Sequence, residues 1–220
     1  SSTDRELRNG DRVHINYGSA QAICKAVLLD RDVLSAGEEA YVQFRFDEPV
    51  AVRRNDRFII RFYSPTITFG GGIVLEAEAL KHKRNHEDVI DSLRIKELGT
   101  DLEVLELELK EESRYFPVPK ILAAKLNWTN QETEDQLEAL VKGKKAVRLS
   151  DGSFIHKDYW NEITQYGTEL LNQFHKEFPN IHIKVTNQTS IECARFLENG
   201  QADFIVANYP NSALAGSMNT

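Results

Sequence analysis

The imidazoles and thiols that most often ligate zinc or act as catalytic bases and nucleophiles are few in this 220-residue chain: six histidines and two cysteines. Cys24 and Cys193 lie far apart, with no C-x-x-C or paired Cys/His spacing. Neither a structural zinc site nor a disulfide framework is expected, and a reduced, cytosolic setting fits. Cys193 falls in an apolar helical stripe, which reads as packing. His82 and His86 are four apart, a spacing that suits one helix face, yet they sit in the charged run 81–87, which reads as a solvated linker. The chain holds no G-x-x-x-x-G-K-[ST], H-E-x-x-H or G-x-S-x-G pattern. The chemistry left is that of cations and exposed backbone: binding, not turnover.

Three groups carry that chemistry. Arg53, Arg54, Arg57 and Arg61 form a local basic set. It reads either as a phosphate-binding face or as a solvated rim partnered by Asp47, Glu48 and Asp56. Lys142, Lys144, Lys145 and Arg148 place four positive charges within seven residues of a predicted hairpin start, a pattern that suits nucleic-acid contact. Their acidic neighbours Glu132, Glu134, Asp135 and Glu138 would confine any such contact. Gly70, Gly71 and Gly72 follow Thr66-Ile67-Thr68-Phe69. No helix follows them, so a phosphate cradle is weak, and the run reads as a tight bend where backbones approach, with N–H groups exposed.

Composition bounds the rest. Hydrophobic residues make up 41% and charged residues 28%, which is globular and excludes collagen-like or wholly disordered chains. No run of 18 apolar residues is present, so no transmembrane helix is expected. The polar start Ser1 to Gly10 resembles neither a signal peptide nor an initiator-Met start, which reads as an excised piece. The net charge of -7 argues against a uniformly basic nucleic-acid binder, so any such contact must use local patches.

The elements that must position these groups change in texture along the chain. Residues 11–79 hold β-branched and aromatic runs (Val13–Tyr17, Ala20–Leu29, Ala40–Phe46, Arg57–Tyr63, Ile73–Leu75) separated by turn signals, as in a small barrel or sandwich. Helical periodicity then runs from Val89 to Gly99 and through Leu102, Leu105 and Leu109, and Pro117 and Pro119 open a further helix. Thr129 with Glu132 predicts a capping box for a helix ending at Gly143. Two short strands, Ala146–Leu149 and Phe154–His156, follow in the order of a winged helix, and Asp158 is placed to cap a helix to about Phe178. Residues 181–207 read as a β-α-β unit, whose open edges make a homodimer plausible, and Pro210–Thr220 reads as a frayed end.

The first 85 residues carry a resemblance. The stretches from Arg12 to Ala20, from Val27 to Glu38, and Arg57-Phe-Ile-Ile-Arg-Phe-Tyr-Ser-Pro-Thr-Ile-Thr-Phe-Gly-Gly-Gly72 resemble, in order, the third domain of SelB, the family of selenocysteine-specific elongation factors. The helical region to about Phe178 is similar to the start of that family's winged-helix extension. The resemblance implies a translation module: a β-barrel like the third domain of EF-Tu, then a winged helix. In the family the barrel packs on the GTPase domain and holds the T-stem of the aminoacyl-tRNA. Thr68, Gly70, Gly71 and Gly72 match a loop that approaches the tRNA backbone. The family's GTP and Mg²⁺ sites and its selenocysteine pocket belong to preceding domains, so neither GTP hydrolysis nor a cofactor is expected of these residues. The final winged helix, which binds the mRNA hairpin, is likewise unmatched.

After Phe178 the pattern changes. Residues 180–190 and 196–206 resemble the effector-binding domain of LysR-type regulators, with Thr189 and Ser190 at a helix start that faces a small-molecule effector in that family. This family change inside one continuous helical pattern reads either as a recombined chain or as a divergent natural C-terminal extension. The expected architecture is therefore multidomain α+β: a SelB-like barrel over 1–80, a linker and winged helix over 81–178, and a β-α-β segment over 179–220. The expected role is a non-catalytic cytoplasmic fragment of an elongation factor. Its partners would be selenocysteinyl-tRNA, the GTPase domain, the ribosome and, in the intact factor, an mRNA hairpin. A LysR-like effector sensor and an inactive scaffold are the alternatives.

Overall fold

A computed structural model of the chain describes residues 5–181. The β-α-β unit, its open edges, Cys193, Thr189 and Ser190 lie outside the described residues. Two compact units divide after Thr164.

Seven strands open the first unit: β1 (Leu7–Arg8), β2 (Arg12–Tyr17), β3 (Ala20–Leu28), β4 (Val33–Leu34), β5 (Val42–Phe46), β6 (Arg57–Phe62) and β7 (Thr68–Ile73). Five of them form one antiparallel sheet in the order β5-β3-β2-β6-β7, while β1 pairs with β4. Alternation decides which face is dry. Val13, Ile15, Cys24, Ala26, Leu28, Ile60 and Phe62 point to one side and are buried, and the β1–β4 pair adds Leu7 and Leu34 to the same core. Phe44 and Phe58 meet edge to face at 5.3 Å, as do Phe62 and Phe69 at 5.2 Å. The two end strands, β5 and β7, are not hydrogen-bonded to each other.

The glycine run departs from its expected place. Gly70, Gly71 and Gly72 are not a bend but the middle of β7, paired with Ile60, Ile59 and Phe58 of β6. The expected strand Ile73–Leu75 accordingly lies earlier, and its last residue is Ile73. The close approach read from the glycines does hold. A Cβ on Gly71 would sit 2.6 Å from the Phe58 carbonyl oxygen, and one on Gly72 would sit 2.7 Å from the Phe58 ring. Glycine is thus required by packing and not by a turn.

Residues 81–86 are not a free linker. The Arg84 guanidinium donates to the carbonyls of Leu28 (2.7 Å) and Arg31 (2.6 Å) and pairs with Asp32. His82 precedes the helix that follows and His86 is its N-cap, so the two share no helix face. That helix, α1 (Glu87–Leu98), is stopped at Gly99. Next come α2 (Asp101–Glu112), a 3-10 turn Ser113–Tyr115, α3 (Pro119–Leu126) and α4 (Asn130–Lys142). Both α2 and α4 start with full capping boxes, Thr100/Glu103 and Thr129/Glu132. Pro119 opens α3 because its missing N–H would have no helical partner there.

The hairpin β8 (Ala146–Arg148) and β9 (Phe154–His156) closes on Asp151, whose Oδ1 accepts from the Ser153 N–H (2.9 Å) and hydroxyl (2.6 Å). A second core joins α2, α3, α4 and the hairpin through Leu105, Leu109, Leu122, Leu137, Leu140 and Phe154. Buried Ser113 ties two of these elements. Its hydroxyl donates to the Leu109 carbonyl (2.6 Å) and accepts from the His156 N–H (2.7 Å). Asp158 does not cap the last helix, α5 (Lys157–Glu177). It stands in the first turn and pairs with Lys110 at 2.9 Å.

Sheet and helices are joined through Lys96, whose side chain is only 4% exposed. Its ammonium reaches Glu111 (2.9 Å) and Glu108 (3.7 Å) of α2 and Glu76 (3.2 Å) of the segment after β7. Lys125 of α3 completes the network with Glu112 (2.7 Å) and Glu108 (3.3 Å). Burial disfavours the charge on Lys96, but Glu76, Glu111 and Glu108 outweigh it and lift its pKa above the ordinary lysine value of 10.5. Lys125 is lifted likewise, Glu112 and Glu108 outweighing its burial.

Three outcomes follow from this packing. Lys96→Met should lower stability by about 3–5 kcal/mol in denaturant unfolding, because it strips the buried carboxylate of Glu108 of one partner, and Lys96→Met with Glu108→Met should recover much of that loss. Both lysines bind their protons more tightly folded than unfolded, so their contribution is whole below about pH 10.5 and is lost as pH climbs through the folded values. Alkaline unfolding curves of wild type and the double variant should therefore converge above that pH. At the sheet edge, Gly71→Ala should cost about 1–3 kcal/mol through its clash with backbone, while Gly70→Ala, which meets nothing within 4 Å, should be nearly neutral in thermal unfolding.

Candidate nucleic-acid interface

The outward face of the five-stranded sheet follows from the same alternation that fills its core. On β6 the exposed positions are Arg57, Ile59 and Arg61, with Tyr63 just beyond. Across the sheet Arg61 stands opposite His14, and His14 opposite Ile23. One step along, Arg12 faces Lys25. No Asp or Glu occupies an outward position on these strands.

Of the sequence-predicted residues, the structure gathers Arg61, Thr68, Gly70, Gly71 and Gly72 on the β6–β7 ribbon, where Arg61 is paired with Thr68 across a register shift. Arg57 lies on the same face at the other end of β6. Arg53 is exposed in the preceding turn, and the Asp56 carboxylate accepts from its backbone N–H (2.7 Å), not from its guanidinium. The expected acidic rim is therefore not what holds these arginines. Asp47 lies 3.7 Å from Arg12 instead.

Arg54 leaves the set altogether. Its guanidinium donates to the Lys96 carbonyl at the end of α1 (2.8 Å), so its charge serves the junction between sheet and helices. The hairpin cations also divide. Lys145 pairs with Glu106 (2.6 Å) and Arg148 with Glu138 (2.7 Å), and the Arg148 guanidinium lies over the Phe154 ring. Lys142 and Lys144 are exposed and form no ion pair among the described residues. Lys144 takes a left-handed backbone, φ 60°, in the turn after α4.

The sequence reading missed Arg12, His14, Lys25 and Tyr63. Their signal was present in the alternation of β2 and β3, but it takes the pairing register to bring them beside Arg61. His14 and Tyr63 stack with nearly parallel, offset rings, centroids 5.3 Å apart and planes 9° from parallel. Gln21 donates to His14 Nδ1 at 2.8 Å, leaving Nε2 with the proton in the neutral ring.

Burial pushes the Cys24 thiol up to about 12, far from a thiolate nucleophile. Among the described residues, no group of three His, Cys, Asp or Glu could hold a metal ion, and no helix is long and apolar enough to cross a membrane.

Residues 1–81 match the family model for the beta-barrel domain of the selenocysteine-specific elongation factor. A selenocysteine-specific elongation factor of Desulfomicrobium baculatum is 27% identical over 181 residues, 81% of this chain and 28% of that protein. Its counterpart from Haemophilus influenzae is 26% identical over 174 residues, 78% of this chain and 26% of that protein. The fold is similar to the crystal structure of the bacterial selenocysteine-specific elongation factor EF-Sec. The TM-score is 0.54 at 15% identity, over 94% of this chain and 32% of that one. The chain thus spans less than a third of each of these proteins, and its first 81 residues are similar to the beta-barrel domain of the selenocysteine-specific elongation factors.

Proposed function

We propose that this chain is a non-catalytic, RNA-binding module of a selenocysteine-specific translation factor, working in the cytoplasm. The observation that carries the reading is the outward sheet face, where Arg61, Arg57 and Lys25 stand without an ion pair among the described residues and without a neighbouring carboxylate on the strands. Such a face attracts a polyanion whatever the net charge of the chain. The edge strand β7 adds to it, because Gly70 and Gly71 carry no side chain to hold a phosphate backbone away. The similarity to elongation factors supports selenocysteinyl-tRNA as the RNA, with the ribosome, an mRNA hairpin and a GTPase domain as partners of a whole factor. GTP and Mg²⁺ would belong to that GTPase domain.

Contacts of this type position RNA by its phosphates and do not read sequence. Affinity near 10⁻⁴ to 10⁻⁶ M is the ordinary range for such binding, and it weakens steeply with salt. A titration of the chain with aminoacylated selenocysteine tRNA, against an unrelated tRNA and over a salt series, tests the reading. Micromolar binding to both tRNAs is expected, with Arg61→Ala weakening it and flattening the log–log salt slope by about one. Absence of binding to either tRNA at low salt would overturn the reading.

A further inference from the structure

We propose that the stacked His14–Tyr63 pair is a platform for an unpaired nucleobase, so that the outward sheet face takes single-stranded RNA and not only duplex backbone. This rests on the RNA-binding reading and assigns it a second mode of contact. Tyr63 is 49% exposed although its ring is large and apolar, and its only described ring contact is His14. His14 is itself held. The Asn16 amide donates to Gln21 (3.3 Å) and the Gln21 amide to His14 Nδ1 (2.8 Å), which fixes the ring in its plane and tautomer. A base arriving on the free face of Tyr63 therefore meets a rigid surface, and the ordering cost of building that surface is already met.

The surroundings fit the rest of a nucleotide. Ile59 and Ile23, 46% and 42% exposed, lie on the same face and offer apolar contact to a base edge. Arg61 stands directly across from His14, and Arg12 and Lys25 lie two residues further along β2 and β3, about 7 Å away. Arg61 and Lys25, without an ion pair among the described residues, and Arg12, which pairs with Asp47 at 3.7 Å, thus stand around an aromatic pair with no carboxylate among the outward strand positions, the pairing of stacking surface and phosphate-binding charge that single-stranded nucleic acid needs. A protein partner fits less well. Covering this face with an apolar surface would bury Arg61 and Lys25 unpaired, at a heavy desolvation penalty. A paired duplex cannot use the platform either, because its bases are stacked on one another.

The test uses the full chain and two probes. One is an unstructured eight-nucleotide RNA with a single 2-aminopurine, and the other is a blunt RNA duplex of similar charge. Binding of the single strand should change the 2-aminopurine fluorescence. Tyr63→Leu should weaken single-strand binding about tenfold while leaving duplex binding within twofold, and Tyr63→Phe should retain wild-type affinity for both. Arg61→Ala should weaken both probes. Because Tyr63 lies outside the core, Tyr63→Leu is expected to fold, and recovery in Tyr63→Phe separates loss of stacking from misfolding. If Tyr63→Leu leaves single-strand binding unchanged while RNA is still bound, the platform is wrong and the phosphate reading stands. If the wild-type chain binds neither probe at low salt, the RNA reading fails and the platform with it.

Discussion

The ammonium of Lys96 is the constraint on which the relation between sheet and helices depends. It sits nearly out of water and draws carboxylates from two directions, Glu76 following the sheet and Glu108 with Glu111 on α2. The carbonyl of the same residue accepts from Arg54, in the turn before β6. One turn of α1 thus fixes the approach of β6, the exit of β7 and the start of the helical core. Apolar burial alone is non-directional and would leave these elements free to slide. Glu108 shows the balance inside the network. Burial pushes its carboxyl up, and Lys96 and Lys125 pull it down without fully cancelling that push. Removing either lysine therefore exposes an imbalance already present in the native state.

The same accounting separates structural cations from available ones. Arg54, Arg84, Lys96, Lys125, Lys145 and Arg148 each give at least one donor to a partner within the fold. Lys25, Arg57 and Arg61 do not, and they stand together on one sheet face. A net charge of -7 hides this, because many of the acids are taken up by the helical half, in capping boxes and in the Lys96 network. The local field at the sheet is set by which charges remain uncompensated, not by their total.

How far the sequence could be read follows from the range of each interaction. The capping box at Thr129, the stop at Gly99 and the hairpin turn at Asp151 were legible because each is decided within four residues. The glycine run misled for the opposite reason. Glycine disfavours strands locally, and the Phe58 backbone and ring that demand it in β7 lie more than ten residues upstream. The strands β1 and β4, of two residues each, are too short to show a period. Lys96 reads as a surface lysine in the last turn of a helix. Nothing beside it announces partners 20 residues before it and up to 15 after it. For the candidate site, strand alternation gave the face of Arg57 and Arg61, but only the register of β2 against β6 sets His14 and Tyr63 beside them.

The helical half bears on the proposal that binding falls to the sheet. In a winged helix the helix before the hairpin would enter a nucleic-acid groove with its exposed side. Here that helix, α4, presents Gln131, Asp135 and the partly exposed Glu138, with a lysine only in its last turn. A phosphate-lined groove would repel that surface, and Arg148 neutralises Glu138 at the expense of its own availability. Of the four hairpin cations, Lys142 and Lys144 form no ion pair among the described residues, and two exposed lysines on flexible stems hold phosphate weakly. The sheet face has what α4 lacks: cations held in register by strand pairing, an aromatic pair between them and no carboxylate on the strands themselves. The helical half is then best understood as the part that fixes the sheet's orientation, through Lys96 and Arg54, for whatever the sheet meets.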